Sequence, residues 1–139
     1  MRRMLVALDG SPHAIKVLAT AVELAERTDG KLLLFRAVEV PVESTALAFS
    51  LPPGELEAQM QKAAEAALAD YTHKVPAERL EGARVGVGSP WRAICDAAAE
   101  AGVDLIVVGS QGYGALDRIL GTTASRVVNR ADRSVLVVR

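Results

Sequence analysis

Short apolar runs alternate with helical segments along the chain, and this alternation is the feature that most constrains the fold. The runs are continuous rather than interrupted by polar residues, which is typical of strands buried on both faces. Five runs are predicted as strands, over residues 3–8, 31–38, 83–87, 104–108 and 134–138. Strands of this length separated by helices predict an α/β fold, a three-layer α/β/α sandwich around a five-stranded parallel sheet.

Serine-proline pairs and glycines mark the ends of the predicted helices. Ser11 is predicted as an N-cap with Pro12 as the first helical residue, and Ser89 and Pro90 repeat this signal. The predicted helices cover residues 12–29, 55–74, 90–101 and 122–131. The stretch 39–54 contains three prolines and no clear period, which predicts a long loop. No linker divides the chain, so we expect one domain over 1–139.

Charge and composition exclude several classes of function. The 139 residues carry 16 Lys+Arg against 17 Asp+Glu, so the chain offers no basic field for nucleic acid or an anionic membrane. The single cysteine, Cys95, excludes a disulfide framework and is expected to be a packed thiol. No apolar run approaches the roughly 20 residues of a membrane span, and the N-terminal run is too short for a signal peptide. We therefore expect a cytoplasmic protein without nucleic-acid or membrane partners.

Two loops have the composition of a ligand site. One is Leu8–Ser11 after the first strand, and the other is the glycine-rich loop 109–121 after the fourth strand. Ligands of open parallel sheets bind beyond the carboxyl ends of the strands, where the strand order reverses. If the first and fourth strands are neighbours, these loops face each other across one crevice.

The chemistry of these loops favours a nucleotide. Glycines let backbone N–H groups approach an anion, and the helix predicted to start at Gly121-Thr122-Thr123 adds free N–H groups and hydroxyls for phosphate. Asp9 suits a ribose hydroxyl or a metal-bound water. No lysine follows Lys74, so a P-loop is absent, and Arg118 or Arg126 is the candidate charge partner. His13, in the first turn of a helix, is expected to be solvated rather than catalytic.

At these residues the sequence resembles the universal stress protein family. The resemblance covers Met4–Ser11, Asp104–Gly112, Leu120–Ala124 and Val135–Val138, and so extends over essentially the whole chain. The ATP-binding branch of that family has glycine, two residues, glycine, nine residues and then Gly-Ser or Gly-Thr. This chain has eight residues between Gly112 and Gly121, so its phosphate loop is one residue shorter.

The resemblance implies a Rossmann-like fold of the adenine nucleotide alpha hydrolase-like type, with strand order 3-2-1-4-5. It also implies an adenine nucleotide, ATP, ADP or AMP with or without Mg²⁺, bound at the crevice between the first and fourth strands. By position in the family, the adenosine and phosphates would contact Ala7, Leu8, Asp9, Val38, Val108, Gly109, Gln111, Gly112, Gly121, Thr122 and Thr123. Because aromatic residues make up only 4% of the chain, adenine would lie between aliphatic groups near Ala7 and Val38.

The implied function is that of a stress or regulatory protein that binds an adenine nucleotide, without catalysis or with slow ATP hydrolysis. No residue is assigned a catalytic role. The family also implies a homodimer, and the apolar last strand 134–138 is predicted to pair with its copy at the sheet edge. Two alternatives stay open: a nucleotide-free dimer that acts through protein contacts, and an ATP-using enzyme.

Overall fold

Five parallel strands form the sheet of the computed structural model, which describes residues 2–40, 51–111 and 120–139. The strands are β1 (Arg3–Ala7), β2 (Lys31–Val38), β3 (Leu80–Val87), β4 (Leu105–Gly109) and β5 (Ser134–Val138). Their order is β3-β2-β1-β4-β5, so β1 and β4 are neighbours. The predicted α/β class and the implied strand order are confirmed.

Within the described residues, four α-helices cover the sheet. They are α1 (Ala14–Thr28), α2 (Glu55–Thr72), α3 (Pro90–Ala101) and α4 (Thr122–Arg130), and one 3-10 turn (Ala77–Arg79) precedes β3. The buried side chains form two clusters, one between the sheet and α1 with α2, the other between the sheet and α3 with α4. The central strands are buried on both faces because each cluster takes alternate residues of the same strand. Within the described ranges, no helix is long and apolar enough to cross a membrane.

The start of α1 differs from its prediction. The helix begins at Ala14 with His13 as the N-cap, two residues later than the Ser11-Pro12 signal indicates. Ser11 does not cap the helix: its backbone N–H donates to Asp9, and its carbonyl oxygen accepts a 3.0 Å bond from the Ala14 N–H. The Asp9 side chain therefore holds an additional turn between β1 and α1, and the prediction of Ser11 as N-cap is wrong.

Strand β3 is longer than predicted, beginning at Leu80 instead of residue 83. It pairs with β2 alone among the described strands and is half exposed, so its first residues lack the continuous apolar pattern of a central strand. Most of the predicted loop 39–54 and most of the glycine-rich loop lie outside the described residues.

Candidate functional site

A cavity of about 640 Å³ opens at the carboxyl ends of the strands, where the order of the sheet reverses between β1 and β4. Its volume lies in the usual range for small-molecule sites. The predicted contact residues that line it are Ala7, Leu8, Asp9, Val108, Gly109, Gln111, Gly121, Thr122 and Thr123. The two loops thus face each other across one crevice, as the neighbouring positions of β1 and β4 require.

Two predicted contact residues are not among the described lining residues. Val38 is buried and does not line the cavity, although its neighbours Ala37 and Glu39 do. Val38 shares a face of β2 with Arg36, which does line the cavity, so it is the burial of its side chain, not the face to which it points, that keeps Val38 out of the lining. Gly112 lies outside the described residues, as does Arg118.

The turn after β1 presents polar atoms to the cavity. Asp9 is exposed, and its Oδ1 accepts a 2.9 Å hydrogen bond from the backbone N–H of Ser11. Ser11 lines the cavity with only 3% of its surface exposed, and its Oγ has no hydrogen-bond partner among the described residues. A buried hydroxyl without a partner carries a free-energy cost that a ligand atom can remove.

The start of α4 supplies hydrogen-bond donors on the opposite side of the cavity. The Gly121 N–H is already used, because it donates to the Ser110 carbonyl at 2.7 Å and joins the end of β4 to α4. The helix has no side-chain cap, so the N–H groups of Thr122, Thr123 and Ala124 have no partner within the described chain. All three residues line the cavity. Free N–H groups and the positive end of the helix dipole favour an anion here.

Gly109 is a glycine for a packing reason. A Cβ at this position would lie 2.9 Å from Cδ2 of His13 and 3.0 Å from Cγ2 of Val17, both on α1 or its cap. Real Cβ atoms are hardly ever this close to another heavy atom, so the missing side chain lets α1 approach β4.

His13 links α1 to the last strand, which the sequence does not predict. Its Nε2 lies 2.9 Å from the Val138 carbonyl, which also accepts a 2.7 Å bond from the Ser110 N–H. Since Nε2 meets a carbonyl oxygen, it carries the proton in this bond. His13 is half-buried and lines the cavity, so the expectation that it is solvated is wrong.

Arg36 is a further lining residue that the sequence analysis misses. It is the one Arg or Lys among the described residues that line the cavity, whereas the candidate Arg126 lies outside the lining. Its guanidinium packs over Gly10, where a Cβ would lie 2.6 Å from Nη1, and Gly10 has a φ of 78°. A signal was available in the sequence, since Arg36 interrupts the apolar run that follows Lys31, two residues before the end of the strand.

The chain is similar to universal stress proteins over its whole length. Residues 1–139 match the model of the Universal stress protein family. Universal stress protein A homolog 1 of Coxiella burnetii is 31% identical over 140 residues, covering 99% of this chain and 95% of that protein. Universal stress protein YxiE of Bacillus subtilis is 30% identical over 145 residues, covering 99% and 98%.

Solved structures show the same fold. UspA of Lactobacillus plantarum superposes with a TM-score of 0.78 at 26% identity, covering 99% of this chain and 97% of that chain. Two more distant structures contain nucleotides. One is a universal stress protein in complex with cAMP (TM-score 0.65, 24% identity, coverage 99% and 96%). The other is the universal stress protein of Archaeoglobus fulgidus in complex with dAMP (TM-score 0.62, 21% identity, coverage 100% and 98%).

Proposed function

The chain belongs to the universal stress protein family, and we propose that it is a regulatory protein that binds an adenine nucleotide in the cavity between β1 and β4. The observation that carries the proposal is the start of α4, which has no side-chain cap and where three residues that line the cavity have N–H groups without a partner in the described chain. Two solved proteins of the same fold bind cAMP and dAMP, which are both adenine nucleotides.

Different residues of the cavity lining suit the phosphates, the ribose and the adenine of such a ligand. The 5′-phosphates would lie at the N-terminus of α4, with the Thr122 and Thr123 hydroxyls as additional donors. Asp9 would accept hydrogen bonds from the ribose hydroxyls. Adenine would lie against Ala7 and Ala37, which line the cavity beside the sheet. Since neither residue is aromatic, base recognition would rest on shape and backbone polar groups rather than on stacking.

The ligand would be ATP, ADP or AMP, and we assign no catalytic step. The described lining holds two carboxylates, Asp9 and Glu39, and no group of three metal-ligating side chains is found in the described part of the chain. Mg²⁺ would therefore enter with the phosphates and keep several water ligands, as this ion commonly does.

Calorimetric titration tests the proposal. ATP, ADP, AMP and cAMP are titrated with and without Mg²⁺ into the wild-type chain and into Ala7→Leu, which places three further carbons at the cavity wall. The control is Ala69→Leu, which adds the same atoms at an exposed position of α2. We expect binding to the wild type and the control, and at least about a tenfold loss in Ala7→Leu.

The outcomes separate the alternatives. No binding of any nucleotide at millimolar concentration would overturn the proposal in favour of a nucleotide-free interaction protein. Binding that is unchanged in Ala7→Leu would place the nucleotide elsewhere. Release of inorganic phosphate during incubation with ATP, absent from a protein-free sample, would identify hydrolysis.

We also propose that the chain forms a homodimer through β5. This strand lies at one edge of the sheet and pairs with β4 alone among the described strands. Val135, Leu136 and Val137 are each half-buried, so the edge is apolar and incompletely covered. Pairing with a second copy would satisfy its outer backbone groups.

A further inference from the structure

Arg36 places a positive charge in the cavity at the turn after β1. Its backbone lies on β2, two strands or about 10 Å from β4. Its guanidinium reaches back over Gly10, which follows the proposed ribose-binding residue Asp9. The charge is therefore carried by the turn that holds the ribose, whereas the proposed 5′-phosphate site is the start of α4.

The guanidinium of Arg36 is positioned but not neutralised. No hydrogen bond or ion pair of the Arg36 side chain is found in residues 2–40, 51–111 and 120–139, and Asp9 uses one carboxylate oxygen on the Ser11 N–H. Gly10 leaves room for the guanidinium, because a side chain there would collide with it. A planar guanidinium group can bind a phosphate in a bidentate manner, through two parallel N–H···O hydrogen bonds.

Ser11 is a second, independent observation at the same place. It is the residue after Gly10, it lines the cavity, and its buried Oγ has no partner in the described chain. A phosphate beside Gly10 would bind Arg36, and it would reach the buried Ser11 hydroxyl once the turn after β1 shifts to expose that oxygen. The turn after β1 is also where we propose that the ribose binds, through Asp9.

We propose that the cavity prefers adenine nucleotides that carry a second phosphate on the ribose, at the 2′ or 3′ oxygen, and that Arg36 and Ser11 bind this phosphate. The proposal rests on the proposed nucleotide function. In dinucleotide-binding α/β folds, an arginine near the ribose plays the same chemical role toward a 2′-phosphate. Asp9 and Glu39 also line the cavity and repel anions, so the second phosphate depends on Arg36.

The test compares 5′-AMP with adenosine 2′,5′-bisphosphate and adenosine 3′,5′-bisphosphate, titrated calorimetrically into the wild type, Arg36→Gln and Arg36→Lys. Arg84→Gln is the charge-matched control, because Arg84 pairs with Glu100 and does not line the cavity. We expect the wild type to bind one bisphosphate about 10- to 100-fold more tightly than 5′-AMP, the gain of a charged hydrogen-bond pair. Arg36→Gln should lose this preference and weaken 5′-AMP much less than the bisphosphate, and Arg36→Lys should keep part of the preference.

The two bisphosphates decide which ribose oxygen carries the phosphate. If 5′-AMP binds and neither bisphosphate binds more tightly, the second phosphate site is overturned while nucleotide binding stands. If Arg36→Gln weakens 5′-AMP as much as the bisphosphates, Arg36 binds the 5′-phosphate or supports the fold, and the proposal also fails. If no nucleotide binds the wild type, both proposals fail together.

Discussion

At the scale of single residues, Ser11→Ala is expected to affect stability and ligand binding in different ways. Burying its hydroxyl without a partner costs free energy, so we expect Ser11→Ala to leave the free energy of unfolding unchanged or raise it by up to about 1 kcal/mol. The same substitution should weaken binding of the preferred bisphosphate. Urea unfolding and calorimetry measure the two effects, and Glu65→Gln, at an exposed position of α2, should alter neither. A clear loss of stability in Ser11→Ala would mean that the hydroxyl has a structural partner.

Cys95 gives a second prediction for a single side chain. Burial of the thiol raises its pKa, and the nearby carboxylates of Asp96 and Asp132 raise it further, so the thiol stays protonated at neutral pH. Because the thiolate is the reactive form, we expect slow alkylation by iodoacetamide in the native state and faster alkylation in urea. Mass spectrometry over time measures both rates. Equal native and denatured rates would contradict the burial of the thiol.

Some residues of the site can be located from the sequence, and others cannot. Asp9, Gly109 and Gly121 can be predicted from the sequence, because the carboxyl ends of neighbouring parallel strands meet at one edge. Arg36 and His13 cannot be placed in this way, since their roles depend on where a side chain reaches across the sheet or into a turn. Val38 lies between two lining residues, Ala37 and Glu39, but its own side chain is buried outside the lining, which a sequence pattern does not show.

At the scale of elements, Arg3 joins three parts of the fold at the end of the sheet opposite the cavity. Its Nε and Nη2 donate to both carboxylate oxygens of Glu81 in β3 at 2.7 and 2.8 Å, and its Nη1 donates to the Ala101 carbonyl at the end of α3. A cation at the C-terminus of a helix also interacts favourably with the helix dipole. The ion pair therefore links β1 to β3, and the hydrogen bond to Ala101 links β1 to α3.

This ion pair predicts a dependence of stability on pH. Hydrogen bonds from Arg3 lower the pKa of Glu81 below its usual value. When folding lowers the pKa of a carboxyl group, the charged group stabilises the folded protein at pH values above its pKa in the unfolded chain. This contribution is lost as the pH falls through the pKa of the folded state. We expect wild type to be more stable than Glu81→Gln at pH 7, with the difference shrinking between about pH 5 and pH 3.

Urea unfolding at a series of pH values measures this difference. Glu23→Gln is the control, because Glu23 pairs with Arg27 at an exposed position of α1 and such pairs contribute little. A difference between wild type and Glu81→Gln that stays constant from neutral to acid pH would contradict the role of the charged pair.

The order of elements is predicted better than their ends. Strands β1, β2 and β4 are recognised because central strands of a parallel sheet are buried on both faces and have continuous apolar runs. The start of α1 is missed because the Asp9 side chain holds an extra turn, a tertiary detail that a helix-start signal does not contain. Edge strand β3 is under-predicted because its exposure removes the apolar pattern.

At the scale of the whole molecule, the edge strand β5 connects the cavity to the proposed dimer interface. Its last carbonyl, at Val138, accepts hydrogen bonds from Ser110 and His13, which both line the cavity. The other edge of β5 has no partner strand among the described residues. Two copies related by a two-fold axis would pair these edges antiparallel and continue one sheet through both molecules.

A charge on β5 tests this arrangement. Val135→Lys places an ammonium group on a half-buried residue of the edge, and Ile15→Lys places the same group on an exposed residue of α1 as the control. We expect wild type and Ile15→Lys to have twice the mass of one chain by light scattering at micromolar concentration. Val135→Lys should dissociate into single chains while its circular dichroism spectrum stays that of the folded protein, because charged edge strands resist pairing. A wild type with the mass of one chain, or a folded Val135→Lys that remains dimeric, would show that β5 is not the interface.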